Sequence, residues 1–383
     1  MKKFVELIQR AYQERYSVVI NKILKEKIPV AFLSINPNAV SMVKNLRSQG
    51  LNITNCITVT PPRMPEMASE LDFQITALDK ISALHPIPEY VLTTNLTDAR
   101  IAVKNFKKSK VLNIERGNQD YVYNMFMNHL QELQEVYESL IDEESRRTFY
   151  GYWLANISNQ FAELVHANGS HYITQGFIPE KGSIVIDGGV CDGSTSAMFT
   201  DFGFKVYGFE MDKENFELAK KAADEKGFIV ENLGLGSYKH EMKYMHAPDG
   251  HIGGSRLDIH GSETTQITTL DAYVSENNLP SVDFIKLDVE GAELDVLKGA
   301  TNTIARFKPI LMLSAYHKWD DFWVLMNFVK SVRNDYEFAL RQYTVSHEDD
   351  KRFLNNVEEA NFMSLLGLDA VVKPYNECCL LAR

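Results

Sequence analysis

Helical and strand patterns alternate along almost the whole chain. Phe4, Leu7, Ile8, Tyr12, Ile23 and Leu24 recur at helical spacing and predict a helix over residues 1–27. Residues 29–35 read as a strand. Asn36 is placed as an N-cap with Pro37 at the first helical position, opening a helix to about Ser48. Further strands are expected at 52–59, 90–94 and 111–114, with a helix across 98–107. From Asp120 to about Leu164 the pattern is helical, and its aromatic residues, among them Tyr121, Phe126, Phe149 and Trp153, fall where a core or an interface would use them.

Beyond Tyr172 the alternation resumes. Strands are expected at 184–187, 205–210, 228–233, 282–288 and 309–314, with helices at 215–226 and from Val289 onward. Residues 241–246 and 265–269 read as a hairpin insertion, and 234–236 as a tight turn. Two closing strands at 337–341 and 377–382, one of them antiparallel, complete a seven-stranded sheet. The expected division is a small α/β Rossmann-like module at 1–116, a helical connector at 117–171 and a second α/β domain at 172–383.

Composition narrows the class. Apolar residues make up 45% and charged residues 24%, the balance of a soluble globular protein. A net charge of −11 argues against a nucleic-acid or membrane-surface binder. No apolar run reaches the ~20 residues that a membrane span needs. The four cysteines show no disulfide or metal spacing, which points to a reducing cytoplasm.

The chemistry sits at the start of the second domain. The run 184–186 ends in Asp187, and Gly189 and Gly193 follow in the spacing D-x-G-x-x-x-G. A second run ends in Glu210, 23 residues after Asp187. Strand, glycine turn, helix, strand and acid form the first half of an α/β nucleotide site. The spacing is not the G-x-G-x-x-G of dinucleotide folds. An acid ahead of the glycines suits a ligand with a cationic amino-acid tail, and Glu210 could grip a ribose diol; S-adenosylmethionine (SAM) has both. Asp187, Gly188 and Gly189 are expected at the methionine end, Glu210 at the ribose, and Asn232, Leu233 and Gly234 at the adenine. Asp192, Ser194 and Thr195 of the turn, and Met211 beside Glu210, complete the expected cofactor-binding set together with Asp288. His317, past the carboxyl end of a parallel strand, is the first candidate for a general base and Glu290 the second. Asp288, Glu290 and His317 could converge on a metal ion, but no Asp-Asn pair follows the fourth strand, so a metal-free site is expected.

From about residue 170 to 382 the chain resembles the FkbM-type SAM-dependent methyltransferases. The resemblance rests on residues 186–189 with 192–195, on 207–210, on 268–271, on the long stretch 283–300, and on Tyr316-His317-Lys318. It implies a class I methyltransferase sheet and methyl transfer to a hydroxyl, commonly of a sugar or another natural product, with S-adenosylhomocysteine (SAH) as product. Some longer members carry a glycine-bearing amino-terminal Rossmann-like module. Here the turn at 34–38 has no glycine, so residues 1–171 are expected to serve docking or homo-oligomerisation and not nucleotide binding. Two other readings remain: an NAD-type oxidoreductase, which a SAM titration separates, and a non-catalytic scaffold, which any turnover excludes.

Overall fold

The computed structural model describes residues 2–13, 16–34, 39–58, 72–93, 98, 101–102, 105–113, 119–158, 167, 172–246, 254–345 and 373–383. The chain forms two compact units. The first comprises residues 1–128, 150–165 and 344–375; the second comprises 129–149, 166–343 and 376–383. The expected connector is therefore divided, its helices Leu130–Ser139 and Gln119–Asn128 falling in different units.

The first unit is built on a five-stranded sheet. Its strands are β1 (Val30–Leu33), β2 (Ile53–Thr58), β3 (Gln74–Ala77), β4 (Tyr90–Thr93) and β5 (Lys110–Asn113), in the order β3-β2-β1-β4-β5 and parallel throughout. Val30, Phe32, Ile53, Cys56, Tyr90 and Leu92 bury their side chains in one layer of its core, while Ala31, Leu33, Ile57 and Val91 serve the other. Both sheet faces are covered, so the central strands are continuous apolar runs. Strand β3 has the burial pattern of an edge and was not legible as a strand. The helix expected over 1–27 is two helices, Lys2–Gln13 and Tyr16–Glu26. The Asn36–Pro37 cap and most of the helix expected at 98–107 lie outside the described residues.

The second unit holds a seven-stranded, mostly parallel sheet. Strands β6 (Ile184–Gly188), β7 (Lys205–Phe209), β8 (Ile229–Glu231), β13 (Phe284–Leu287), β14 (Ile310–Ser314), β15 (Phe338–Val345) and β16 (Lys373–Ala382) lie in the order β15-β16-β14-β13-β6-β7-β8. Strand β16 is antiparallel to β14, as the closing hairpin predicts. Cys378 and Cys379 are buried there. A smaller sheet joins β9 (Gly234–Leu235), β10 (His240–Met245), β11 (Arg256–Leu257) and β12 (Glu263–Thr268). The expected turn at 234–236 is thus partly strand, because β9 finds a parallel partner in β12. Phe199, Phe204, Phe228, Phe284 and Met312 fill the core on one face of the large sheet. From β6 the chain runs outward through β7 and β8, then returns to β13 on the other side of β6. That reversal opens a crevice at the carboxyl ends of β6 and β13, the usual ligand position in open α/β sheets.

Candidate active site

Register places the sequence candidates along one edge. Gly188 of β6 pairs with Phe209 of β7 on one side and Leu287 of β13 on the other. The next residues, Glu210 and Asp288, therefore flank the glycine turn two strand spacings apart, roughly 10 Å. Gly189 turns at a φ of +79°, and a Cβ there would lie 1.8 Å from the Asp288 carbonyl oxygen, so only glycine fits. The Gly189 and Val190 amides donate to the Phe209 carbonyl at 3.0 and 3.2 Å, which locks the turn onto β7. Ser194 and Thr195 open the helix Ser194–Asp201, where Asp192 accepts the Ser194 amide at 3.1 Å.

Asp187 departs from its expected setting. Its side chain is fully buried and forms an ion pair at 3.0 Å with Lys286, the register partner on β13. Ser196 Oγ donates to its other oxygen at 2.7 Å. Lys286 Nζ donates in turn to the carbonyls of Gly188 and Gly189, at 3.3 and 2.7 Å. Burial pulls the Lys286 pKa down, but the charges of Asp187 and Asp288 outweigh it and hold the ammonium above its ordinary range. Asp187 thus fixes the glycine turn from beneath, through a lysine that sequence reasoning did not select. The signal was present: one cation inside a strand whose four residues are all buried.

Glu210 is buried, and its two oxygens accept the backbone amides of Cys191 at 2.7 Å and Asp212 at 2.9 Å. Burial dominates those hydrogen bonds and pushes its pKa up to about 7. Asn232 donates to the carbonyls of Glu210 and Met211, at 2.9 and 3.3 Å, tying the end of β8 to that corner. Leu233 is half-buried beside it, and Gly234 packs where a Cβ would strike Ile267 at 2.4 Å. Asp212 caps the helix Lys213–Lys226 with one oxygen; the other accepts from His246 and Ser255, each at 2.6 Å.

The base candidates do converge. His317 Nε2 lies 3.5 Å from both Asp288 Oδ1 and Glu290 Oε2, and Nδ1 bonds to Glu293 Oε1 at 2.9 Å. Glu293 is buried at the start of the helix Glu293–Lys298, and the same oxygen accepts the Val289 and Gly291 amides at 3.0 and 3.4 Å. Tyr172 and Tyr316 hydroxyls donate to the two Asp288 oxygens, at 2.6 and 3.1 Å. Burial alone would discharge the imidazole. The Glu293 hydrogen bond and the charges of Glu293, Asp288 and Glu290 overcome it and push the His317 pKa up to about 9. Glu290, at a φ of +52°, has its own pKa raised, first by burial, with His317 opposing. Glu293 and Tyr172 escaped sequence reasoning, because an acid at a helix start and a tyrosine near a domain boundary have ordinary structural uses.

A strand order with an antiparallel closing strand, a D-x-G-x-x-x-G turn and an acid ending the second strand define a class I methyltransferase fold. Residues 187–356 match the methyltransferase FkbM domain. A stretch of 101 residues is 31% identical to hexuronic acid methyltransferase AglP of Haloferax volcanii, covering 26% of this chain and 42% of that relative. The crystal structure of methyltransferase FkbM from Methylobacillus flagellatus KT superimposes with a TM-score of 0.65 at 17% identity, over 100% of this chain and 98% of that one. At that identity the likeness concerns the fold, which extends to both units. Among the described residues no helix is long and apolar enough to cross a membrane.

Proposed function

We propose that the chain transfers the methyl group of SAM to a hydroxyl of a sugar or sugar-bearing acceptor, releasing SAH. The observation that carries this reading is the shared edge on which Glu210, the Gly188–Gly189 turn, Asp288 and His317 stand. The similarity to a hexuronic acid methyltransferase supports a sugar as the acceptor class.

Each residue has a physical part. The oxygens of Glu210 each accept one backbone amide and keep a lone pair for a ribose hydroxyl. Gly188 and Gly189 let the methionine end approach the backbone, with Ser194 and Thr195 at the amino end of the following helix for its carboxylate and Asp192 beside them for its ammonium. Met211, Asn232, Leu233 and Gly234 line the adenine side. Asp288 faces the methionine ammonium or the acceptor. Transfer is an in-line displacement: the acceptor oxygen forms a bond to the methyl carbon as the carbon–sulfur bond breaks, and the hydroxyl proton leaves. His317 Nε2 receives that proton when the imidazole is neutral, with Glu293 on Nδ1 fixing the ring. Glu290, at 3.5 Å from Nε2, is the second acceptor. The first unit serves docking, and a cytoplasmic location suits four cysteines whose positions show no disulfide or metal spacing.

The test is calorimetry with SAM, SAH and NAD, followed by mass spectrometry of hexuronate and neutral sugars incubated with SAM. His317→Gln should lower kcat by roughly 10²–10⁴ with SAM affinity retained. A protein that prefers NAD to SAM sinks the reading.

A further inference from the structure

We propose that Tyr172 is a positioning residue for cofactor binding: its hydroxyl holds the Asp288 carboxylate where it receives the ammonium of the SAM methionine end. The inference rests on the methyl-transfer reading above. It adds to that reading a residue lying ahead of the stretch 187–356 that matches the methyltransferase domain.

Tyr172 has a φ of +66°, in the left-handed region that bulky side chains seldom enter. A tyrosine held there against its preference is kept by its contacts, and residues strained in this way gather at binding sites. The side chain is buried and belongs to the core cluster of Val185, Phe284 and Met312. The Lys286 ammonium lies 5.2 Å from the ring centre, within reach of its negative face. The hydroxyl donates to Asp288 Oδ2 at 2.6 Å, the length of a bond to an ionised carboxylate. Tyr316 donates to Oδ1 at 3.1 Å. Both oxygens are thus fixed by a phenol, and a carboxylate oxygen accepts more than one hydrogen bond, so a ligand can still be bound.

Place and charge single out Asp288 as the acid to be fixed. Its amide donates to the Gly188 carbonyl at 3.0 Å, and its own carbonyl leaves no room for a Cβ on Gly189. It therefore stands against the turn that the methionine end approaches. The neighbouring acids are engaged. Asp187 is fully buried and paired with Lys286, and Glu293 is buried and bonded to His317 and two backbone amides. Glu210 is set for the ribose, and Glu290 stands at His317 Nε2. The Asp288 side chain is 20% exposed, which leaves it an edge for an ammonium alongside Asp192. Released from its hydroxyls, this carboxylate would turn toward His317 Nε2, only 3.5 Å from Oδ1; the Tyr172 hydroxyl holds it back.

The test compares two ligands on the full chain by titration calorimetry at about pH 8, where Glu210 is ionised. One is SAH; the other is its deaminated analogue, which keeps the adenosine, thioether and carboxylate but has no amine. Tyr172→Phe keeps the ring and removes the hydroxyl. It should weaken SAH by about tenfold, the scale of a hydrogen bond to a charged group, and leave the affinity for the analogue unchanged. Asp288→Asn should give the same selective loss, and the double variant should lose less than the product of the two single effects. Equal losses for both ligands, no loss, or independent effects in the double variant overturn the positioning role, which a merely structural tyrosine would not show. Asp288→Asn judges the anchor by itself should Tyr172→Phe fail to fold: a loss shared by both ligands overturns it. Wild-type protein that binds neither SAM nor SAH overturns the methyl-transfer reading and the anchor together, whereas wild-type binding without an amine-selective loss overturns the anchor alone.

Discussion

Lys286→Met tests whether the glycine turn depends on a charge hidden beneath it. Methionine nearly matches the lysine stem in volume, so the change removes an ammonium and opens little cavity. In the wild type that ammonium contacts Asp187 at 3.0 Å and two carbonyls at 2.7 and 3.3 Å, and neither charged side chain is more than 3% exposed. Removing one partner of a buried pair leaves the other charge uncompensated, a loss of about 3–5 kcal/mol. For a unit of this size about 2–4 °C accompanies each kcal/mol, so melting should fall by roughly 6–20 °C. Asp187→Asn combined with Lys286→Met removes both charges and should recover much of the loss, because the penalty is the orphaned carboxylate more than the missing attraction. Differential scanning calorimetry on the three variants gives the cycle, and calorimetric SAM binding reports the turn. A single Lys286→Met change costing under about 1 kcal/mol, or a double variant no more stable than the sum of the singles, refutes the assignment.

Other consequences can be measured on the same protein. Burial raises the Glu210 pKa from 4.5 to about 7, so ionisation opposes folding as pH rises through that window, whereas ribose binding needs the carboxylate. SAM affinity should therefore fall below pH 7 by about tenfold per unit, and Glu210→Gln should flatten the profile; a flat wild-type profile between pH 5.5 and 8 counts against the role (roughly 1.4 kcal/mol per unit is expected). Gly189→Ala should abolish measurable SAM binding, since its Cβ would meet the Asp288 carbonyl at 1.8 Å, and unchanged affinity would show that the turn can relax. Asp142, opposed by burial but held by hydrogen bonds from Arg341 and Ser145, has its pKa lowered to about 2; its stabilisation is present above pH 3.8 and lost as pH falls through 2. The carboxylate is 38% exposed, so Asp142→Asn should cost only about 1 kcal/mol in urea unfolding at pH 7, with the gap narrowing at low pH.

Much of the second unit was legible because its signals are local. A β-branched run closing on an acid, then glycines at fixed offsets, specifies a strand, a turn needing positive φ and a helix start, and each depends on neighbours in sequence. The hairpin of β10 and β12 and the antiparallel β16 followed from alternation and position. Strand β3 was missed since an edge strand of Gln, Ile, Thr and Ala carries little apolar contrast. The break between the first two helices was missed since apolar residues recur at helical spacing on both sides and no proline or glycine marks it.

The site was legible as a set of positions and opaque as a set of charges. His317, Asp288 and Glu290 could be placed at one edge because strand ends and loops follow from topology. What sets the protonation of His317 is Glu293, three residues beyond Glu290 and buried by the helix it begins. In the same way the fate of Asp187 is decided by Lys286, 99 residues away in sequence but adjacent across a strand pair. Spacing identifies which residues reach an edge; register decides which charges meet there. An acid that seemed available to a cationic ligand is already neutralised from within the sheet. The imidazole marked as a free base is held among three carboxylates. Electrostatic roles in such a fold must therefore be read from cross-strand partners, and the lone lysine inside an apolar strand is the sequence feature that announces one.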